Sequence, residues 1–574
     1  MRKKLLFVAA VALGLAALLA FSFDFNVAAG PQTTVITAPL AEDGLPNYAQ
    51  AIVERQREGV TEENNGARLF WQAIGQEDVS PEDFALLCRE IGVAIDPTAP
   101  TLTDVRGTAT MQRVDDWLAD ERNRRRPAAL EADNDNATED ANFNVNAAAV
   151  ALITAACRMP WTADEIPPLA AWVAENEGPI DLLVAAAAKE RFFSPSPSVL
   201  ADPRTLVIQM LPPNIDSIRS AGYALAARAM HRAGQGRYAD AWDDCLACWR
   251  FGEHMADGPS LIDRLLAIAL RGLARDATLA LLQAEDAPEA VLRQILDDLS
   301  SLAPSVGMAE AIDRGERFQS LDWTLRMVAG RLGGVPDDWA DALSTVAFQA
   351  FGKLNLLALD VNVVLRMNNA WYDRYAAAAA LNDFAARRRE LSRLDAEWKA
   401  HEADRRGRLF VGTLSPRRAI SEKIGWGMVS PLFPPIDVAV RAQDRDAANM
   451  ALVRIAAALA LHRAATGQYP ATLDELVPAT LAGVPLDPYR NEPPAYERRG
   501  DGYLLYSVFE NGVDDGGRDC SGEIDGGEWL PKDQRLDVDM EHSDLVIRAP
   551  FPPASWYDEQ DIALPEQPEM VESQ

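Results

Sequence analysis

The spacing of apolar residues predicts a chain that is mostly helical between about residues 46 and 435. Apolar positions recur there three and four residues apart, and the strict alternation typical of strands is scarce. The clearest helical pair spans Ile218 to Leu282. Small residues such as Ala227 and Ala241 would let its two helices approach, and Gly236 would end the first helix. We therefore predict a mainly α fold, a helical array with αα-hairpins, for residues 46–435.

A different pattern follows in the last third of the chain. Asp437 to Thr466 carries apolar residues at helical spacing and is followed by Gly467, so it predicts one long helix with a defined end. Two strand-like segments come later, Pro494–Arg498 and Gly502–Val508, and a short turn joins them. We therefore predict that residues 436–550 form a small α+β domain, a long helix plus an antiparallel sheet.

Helix-start signals and tryptophans agree with the helical prediction. Ser80 stands before Pro81 and two acidic residues, an order typical of a helix N-terminus. Several tryptophans lie in helical patterns with apolar neighbours, where burial in the core is more usual than exposure on a sugar-binding surface. These residues are Trp71, Trp172, Trp242, Trp323 and Trp371.

The amino terminus has the plan of an export signal. Three basic residues at positions 2–4 precede an uncharged apolar stretch at 5–23. Its 19 residues are about enough to cross a bilayer as one helix, whereas the small residues at 27–29 suit cleavage. Residues 1–29 are thus a signal peptide or a retained signal anchor, followed by a linker at 30–45. Either way the protein is exported: anchored by a single span in the inner membrane facing the periplasm, or periplasmic or secreted after cleavage.

The chain is strongly acidic, with 55 basic and 86 acidic residues and a formal net charge of −31. Because such a charge is repelled by phosphate backbones, nucleic acid is not an expected partner. Cations or basic surfaces are the expected partners instead. Residues 510–574 contain 18 Asp or Glu and four Lys or Arg, a net charge of −14. Within them, residues 551–574 are predicted to form a solvated acidic tail.

Short motifs in the C-terminal region resemble those of a known family. In chain order they are Ala458-Leu459, Gly467-Gln468-Tyr469-Pro470, Leu473-Asp474-Glu475-Leu476, Pro485-Leu486-Asp487-Pro488, Tyr496, Tyr503, Tyr506-Ser507 and the loop from Asn511-Gly512 to Gly517. Their order resembles the globular part of the major pseudopilin of type II secretion, over roughly residues 440–550. The resemblance implies a long helix with an antiparallel sheet, and a calcium ion held by the loop rich in Gly and Asp.

The chain departs from that family at its hydrophobic segment. Pseudopilins carry a hydrophobic helix that is continuous with the globular domain, whereas the apolar stretch here lies roughly 400 residues upstream. The predicted helix at 437–466 contains charged residues such as Arg441 and Asp446, which are incompatible with a lipid environment. The resemblance therefore indicates a borrowed module rather than a filament subunit.

Two further resemblances concern the helical region. Residues 218–242 resemble the helix–turn–helix of one tetratricopeptide unit, but no period of about 34 residues repeats it. The strings at 59–65 and 172–177 resemble strings found in large exported bacterial proteins. The first likeness indicates a generic αα-hairpin, and the second implies a family of exported proteins and no particular activity.

The loop after the second predicted strand is the candidate ion site. Calcium prefers sets of about six to eight oxygen ligands from carboxylates, amides and the backbone. The candidate ligands are Asn511, Asp514, Asp515, Asp519 and Asp544, with Glu523 and Asp525 as additional candidates. Asn511 stands where the family usually has Asp, which should weaken binding. The alternative is a solvated acidic turn whose glycines supply positive φ angles.

No motif commits the chain to a catalytic reaction, and the five cysteines have no regular spacing that would predict a disulfide framework. Cys245 and Cys248 lie within a predicted helix beside tryptophans, so we expect core packing rather than a redox or zinc site. Residues 541–544 include the residue types of a catalytic triad, but neighbours in sequence cannot converge as a triad does. Asp313 and Glu316 lie among arginines at helical spacing, and we expect surface ion pairs rather than a glycosidase dyad.

These observations favour a non-catalytic scaffold or binding protein of the cell envelope, exported and membrane-tethered. Its partner would be an envelope protein or a cell-surface polymer. Two alternatives stay open: an envelope hydrolase whose acid pair is assembled by the fold, and an accessory component of a secretion filament. A cleft lined by two carboxyl groups about 5 to 9.5 Å apart would favour the hydrolase.

Overall fold

The computed structural model describes residues 27–76, 79–125, 145–202, 204–210, 215–329, 359–404, 416–429, 435–517 and 544–549. Most of the predicted signal segment at 1–29 and the whole predicted acidic tail at 551–574 lie outside these residues. None of the described helices combines the length and the apolar character needed to span a bilayer.

Seventeen α-helices dominate the described residues, so the mainly α prediction is confirmed. The first eight are α1 (Tyr48–Arg57), α2 (Ala67–Ile74), α3 (Pro81–Glu90), α4 (Thr108–Arg125), α5 (Val145–Ala156), α6 (Pro167–Glu175), α7 (Glu177–Ala187) and α8 (Pro197–Ala201). The others are α9 (Ile215–Gly234), α10 (Tyr238–Ala256), α11 (Leu261–Gln283), α12 (Glu289–Ser301), α13 (Arg317–Val328), α14 (Val361–Ala379), α15 (Phe384–Asp404), α16 (Pro416–Val429) and α17 (Ile436–Thr466). A π-helix at Ala311–Glu316 leads into α13, and short 3₁₀ turns occupy Val207–Gln209 and Leu473–Leu476.

Helices α9, α10, α11, α12 and α17 form one packed group. Residues 235–237 connect α9 to α10, which pack together, and α10 packs closely against α11. The C-terminal helix α17 lies against both α11 and α12. One of the buried apolar clusters includes residues as far apart in the sequence as Val53 and Ile547. The C-terminal sheet therefore shares its core with the preceding helices.

The antiparallel sheet predicted near the C-terminus is confirmed and has three strands, of which the second and third contact α17. β1 (Ala495–Arg499), β2 (Gly502–Ser507) and β3 (Leu545–Ala549) are neighbours in that order. Leu505 in the central strand pairs with Tyr496 on one side and Ile547 on the other. β1 and β2 match the predicted segments to within one residue at each end, whereas β3 is an addition that the sequence pattern did not predict.

Helix α17 has the predicted bounds to within one residue. It begins at Ile436, ends at Thr466 and is followed by Gly467, whose φ of 82° lies in the left-handed region. A side chain is strained in this conformation, so glycine lets the chain leave the helix without strain. The turn leads to Tyr469, which is buried against the sheet residue Tyr503 with ring centroids 4.9 Å apart.

The segment before α1, which includes the predicted linker, lies against α14. The Nδ2 group of Asn369 donates a hydrogen bond to the carbonyl of Thr33 at 2.7 Å. The hydroxyl of Tyr48 donates to the carbonyl of Thr34 at 2.8 Å. Both threonines are buried. These bonds fix the path of the chain into α1 and tie it to a helix more than 300 residues later in the sequence.

The predicted helix start and the predicted core tryptophans are confirmed. The Oγ atom of Ser80 accepts a hydrogen bond from the backbone N–H of Asp83 at 3.2 Å and so caps α3. The five tryptophans that the sequence assigned to the core are all buried; they are Trp71, Trp172, Trp242, Trp323 and Trp371. Their burial leaves none of them available as an exposed aromatic platform for sugars.

Two helical glycines in contrasting surroundings provide a matched test of this packing. A Cβ atom at Gly234 would lie 2.1 Å from the carbonyl oxygen of Trp161, whereas one at Gly272 would meet no atom within 4 Å. We expect Gly234→Ala to destabilise the protein by about 1–3 kcal/mol, because neighbouring backbone must move. Gly272→Ala should be neutral or stabilising by up to about 1 kcal/mol, because alanine favours a helix interior. Denaturant unfolding midpoints measure the stability change of each variant. An equal loss of stability in the two variants would contradict the close approach at Gly234.

Candidate functional site

The loop predicted to bind calcium follows β2, and its described residues bond to one another. The Nδ2 group of Asn511 donates to Oδ2 of Asp515 at 2.7 Å. Oδ1 of Asp514 accepts from the hydroxyl of Tyr506 at 2.8 Å and from the backbone N–H of Gly516 at 3.0 Å. The hydrogen bond from Tyr506 holds the pKa of Asp514 below its usual value. These side chains thus lie together in one turn, as the sequence predicts.

Asp544, another predicted ligand, connects this loop to β3. It is buried immediately before the strand, and its Oδ2 atom accepts a hydrogen bond from the backbone N–H of Gly517 at 2.8 Å. The predicted ligand Asp519 and the additional candidates Glu523 and Asp525 lie outside the described residues. Within the described part of the chain, no group of three or more His, Cys, Asp or Glu side chains is arranged to hold a metal ion.

The same loop also has the features of the alternative, an acidic turn built on glycines. Gly512, Gly516 and Gly517 have φ angles of 67°, 73° and 75°. These values suit glycine and permit the tight course of the backbone. The donor chemistry nevertheless fits calcium, since carboxylate and amide oxygens from Asn511, Asp514 and Asp515 occupy one turn. Calcium binding therefore stays a prediction.

A cleft of about 1050 Å³ lies in the helical region and is bounded by α1, by the facing ends of α10 and α11, and by the π-helix. Part of its apolar lining is buried, namely Ile52, Phe70, Ile218, Met255 and Phe318. Charged lining residues such as Arg55, Glu58 and Glu310 are exposed. An apolar floor with a charged rim is the layout of a binding surface, and the volume is ample for a ligand or a short protein segment.

Arginines surround the carboxylate of Glu310 at the rim of this cleft. Arg55 donates a hydrogen bond to it, and guanidinium nitrogens of Arg264 and Arg314 lie 4.0 and 3.9 Å away. Both Glu310 and Arg55 are about half exposed, so these pairs are solvated and individually weak. The carboxylate of Glu310 is thus engaged with cations.

Asp313 and Glu316 lie in different environments, which corrects part of the prediction made for them. Asp313 forms a partly exposed ion pair with Arg317 at 2.6 Å, as expected. Glu316 is buried instead, and its Oε1 atom accepts a hydrogen bond from the backbone N–H of Leu261 at 2.9 Å. Burial raises the pKa of Glu316. The prediction of a surface pair is wrong for Glu316 because its side chain points inward, where it satisfies the first N–H of α11.

His254 lies in the wall of the cleft and is held by packing. Its Nε2–H group donates to the carbonyl of Ala187 at 3.2 Å, and its ring stacks on Phe192 with centroids 5.6 Å apart. Burial lowers the pKa of His254, so the neutral imidazole is favoured. Because one ring nitrogen is bonded to a backbone carbonyl and the ring is stacked, this histidine is positioned as part of the cleft wall.

A buried ion-pair cluster between α9 and α10 escaped the sequence interpretation. Asp244 is fully buried and bonds to Arg228, at 2.6 Å, and to Arg232, at 2.9 Å. Burial opposes the charge of Arg228, but its hydrogen bonds with Asp244 and Asp181 prevail and raise its pKa. The signal in the sequence that could have revealed this cluster is the pair of arginines four residues apart on the alanine-rich helix α9. A carboxylate held by two guanidinium groups fixes the helix pair and is not a free acid or base.

The cysteine pair on α10 is part of the core, as the sequence predicts. Cys245 and Cys248 are both buried free thiols. The Sγ–H group of Cys248 donates to the carbonyl of Leu270 at 3.4 Å, and burial raises the pKa of this thiol to about 12. Since the thiolate is the reactive form, neither cysteine is poised as a nucleophile. Cys520 and most of the sequence at 541–544 lie outside the described residues.

In comparisons with known proteins, the chain matched no protein-family model, no curated protein and no solved structure.

Proposed function

We propose that this protein is a non-catalytic scaffold or binding protein of the cell envelope, and that the cleft beside α1 receives its partner. The observation that carries the proposal is the lining of this cleft, an apolar floor with a rim of paired charges. Such surfaces exclude water in the centre and provide orientation at the edge. The partner is an envelope protein or a cell-surface polymer.

Three of the five carboxyl groups that line the cleft are engaged by neighbouring residues, which supports binding rather than hydrolysis. Glu310 and Asp313 are each paired with arginine. Asp263 has a raised pKa because it is buried, but its Oδ2 atom accepts hydrogen bonds from the hydroxyl and the backbone N–H of Ser260 at the start of α11. A glycosidase needs one carboxylic acid and one carboxylate facing a common substrate. The arrangement here favours a binding site over the envelope hydrolase.

The location in the envelope rests on the amino-terminal sequence. Basic residues at 2–4 followed by the apolar stretch at 5–23 support export, with the chain anchored in the inner membrane facing the periplasm or released after cleavage. The helical region would then act as an array of αα-hairpins, for which the pair formed by α9 and α10 is the best example. Arrays of this kind commonly scaffold partners.

We further propose that residues 436–550 are a pseudopilin-like module stabilised by calcium. The long helix, the antiparallel sheet and the turn containing Asn511, Asp514 and Asp515 support this likeness. Its helix α17 packs against α11 and α12 rather than continuing a hydrophobic segment. We therefore favour a module within this protein over an accessory subunit of a secretion filament.

Photo-crosslinking in bacterial cells tests the binding cleft. A photoreactive amino acid at Gln56, which lines the cleft, should give a discrete adduct with an envelope component. The matched control carries the same amino acid at Glu54, which is exposed on the same helix and lies outside the cleft lining. This control should not give the adduct. Fractionation of these cells should place the protein in the membrane or the periplasm. Identical adducts from both positions, or intact protein in the cytosol, would contradict the proposal.

Thermal unfolding of the full chain with and without calcium tests the ion site. Saturating calcium at about a hundred times Kd should add about 2.7 kcal/mol of stability, because the ion binds the folded loop. Asp514→Asn with Asp515→Asn should abolish the rise in Tm. Asp501→Asn, in the exposed turn between β1 and β2, is the control and should keep it. An unchanged Tm in the parent protein would remove the calcium proposal and leave the cleft unaffected.

A further inference from the structure

Arg264, which lines the cleft beside α1, is paired differently from the other buried arginines of the described chain. Each of the six others forms a hydrogen bond with a carboxylate. They are Arg228, Arg232, Arg271, Arg317, Arg326 and Arg387. Arg264 forms no hydrogen bond with a carboxylate of the described residues, although its side chain is only 10% exposed.

The guanidinium group of Arg264 has weak compensation for its buried charge. Its Nη1 group donates to the carbonyl of Gly307, and its Nε group is buried without a hydrogen-bond partner among the described residues. Oε2 of Glu310 lies 4.0 Å from Nη2, which is too far for a hydrogen bond. Glu310 is about half exposed and also bonds to Arg55, so solvent screens this ion pair. Burial lowers the pKa of Arg264.

This cation borders an apolar space. Arg264 lines the cleft together with its apolar floor, and its Nη2 group faces Glu310, which belongs to the charged rim. Because the surroundings are apolar, an ion pair formed at this point is stronger than one at the open surface. A carboxylate supplied by a ligand would provide the charged hydrogen bond that the six other buried arginines receive from the protein.

The charges around the cleft restrict the class of anion. Four arginines and five acidic residues line it, so the cleft as a whole does not attract anions. A ligand with several negative charges would be repelled by these acids, whereas a single carboxylate can bond to Arg264 alone. The volume of about 1050 Å³ is ample for an apolar chain attached to that carboxylate. The lining therefore favours an anion with one charge and an apolar chain.

We propose that the cleft beside α1 binds an alkyl carboxylate, with its carboxylate on the guanidinium group of Arg264 and its chain along the apolar floor that includes Met255 and Phe318. The inference rests on the proposed function, because the ligand would occupy the cleft that receives the partner. A bound chain would cover the floor and so compete with the partner for this surface.

Titration calorimetry on the full chain tests the proposal with decanoate as the probe. The matched ligand is decan-1-ol, which has the same chain length without the charge. We expect saturable binding of decanoate at neutral pH, with a Kd about tenfold lower than that of decan-1-ol, the preference expected for one charged hydrogen bond. Arg264→Met should remove this preference. Arg264→Lys keeps a cation at the position and should retain it.

The control variant is Arg293→Met on α12, outside the cleft lining. Arg293 is exposed and pairs with Glu289 at 2.8 Å, so its loss should leave both Kd values unchanged. Absence of saturable decanoate binding, or equal affinity of the parent protein for decanoate and decan-1-ol, would overturn the proposal without the need for any variant to fold. So would a preference for decanoate that survives in folded Arg264→Met.

Crosslinking from Gln56 separates this inference from the proposed function. If both ligands use the cleft, an excess of decanoate should reduce the yield of the adduct. A discrete adduct from Gln56 in a protein that does not bind decanoate would retain the partner and overturn the alkyl carboxylate. Decanoate binding without any adduct would support the alkyl carboxylate and contradict the macromolecular partner.

Discussion

The buried guanidinium group of Arg271 holds the C-terminal helix α17 against the preceding helices. This side chain is 1% exposed and bonds to Asp446 on α17, to Glu253 on α10 and to the carbonyl of Ala303 after α12. A charge taken out of water is tolerated only when its partners satisfy it, and the three acceptors do so. Asp446 also accepts from the N–H of Val306 at 3.0 Å, which extends the contact to a further segment. These contacts thus connect α10, α11, α17 and the segment after α12.

Although the chain is acidic, arginines in its interior pair with acids on other helices and so determine how the helices are arranged. Arg228 joins α9 to α10, and Arg387 joins α15 to Asp444 on α17. In each case the acid lies on a different helix, so the ion pair selects one arrangement of helices over others. Apolar burial alone is less selective because alanine-rich faces fit one another in several registers.

The elements set by local sequence could be predicted, and those set by distant contacts could not. Helix α17 followed from its apolar spacing and from Gly467, and the hairpin of β1 and β2 from alternation next to a short turn. β3 could not be recognised, because its five residues are separated from β2 by a long acidic stretch. The ion pair between Arg271 and Asp446 joins residues 175 positions apart, and the cleft beside α1 has no local signature. The inward direction of Glu316 was missed because helical spacing alone does not say which face is buried.

Denaturant unfolding of variants at the Arg271 node tests this account most directly. Arg271→Met leaves Glu253 and Asp446 without their buried cation and should lower the free energy of unfolding by about 3–5 kcal/mol. Arg275→Met, one turn along α11 and only partly buried, should cost less than about 1 kcal/mol. Adding Asp446→Leu to Arg271→Met should restore part of the loss, since the two residues are coupled. The account is contradicted if Arg271→Met is no more destabilising than Arg275→Met and if the effects of Arg271→Met and Asp446→Leu on the free energy of unfolding are additive. In that case the buried charge of Arg271 does not determine how the helices pack.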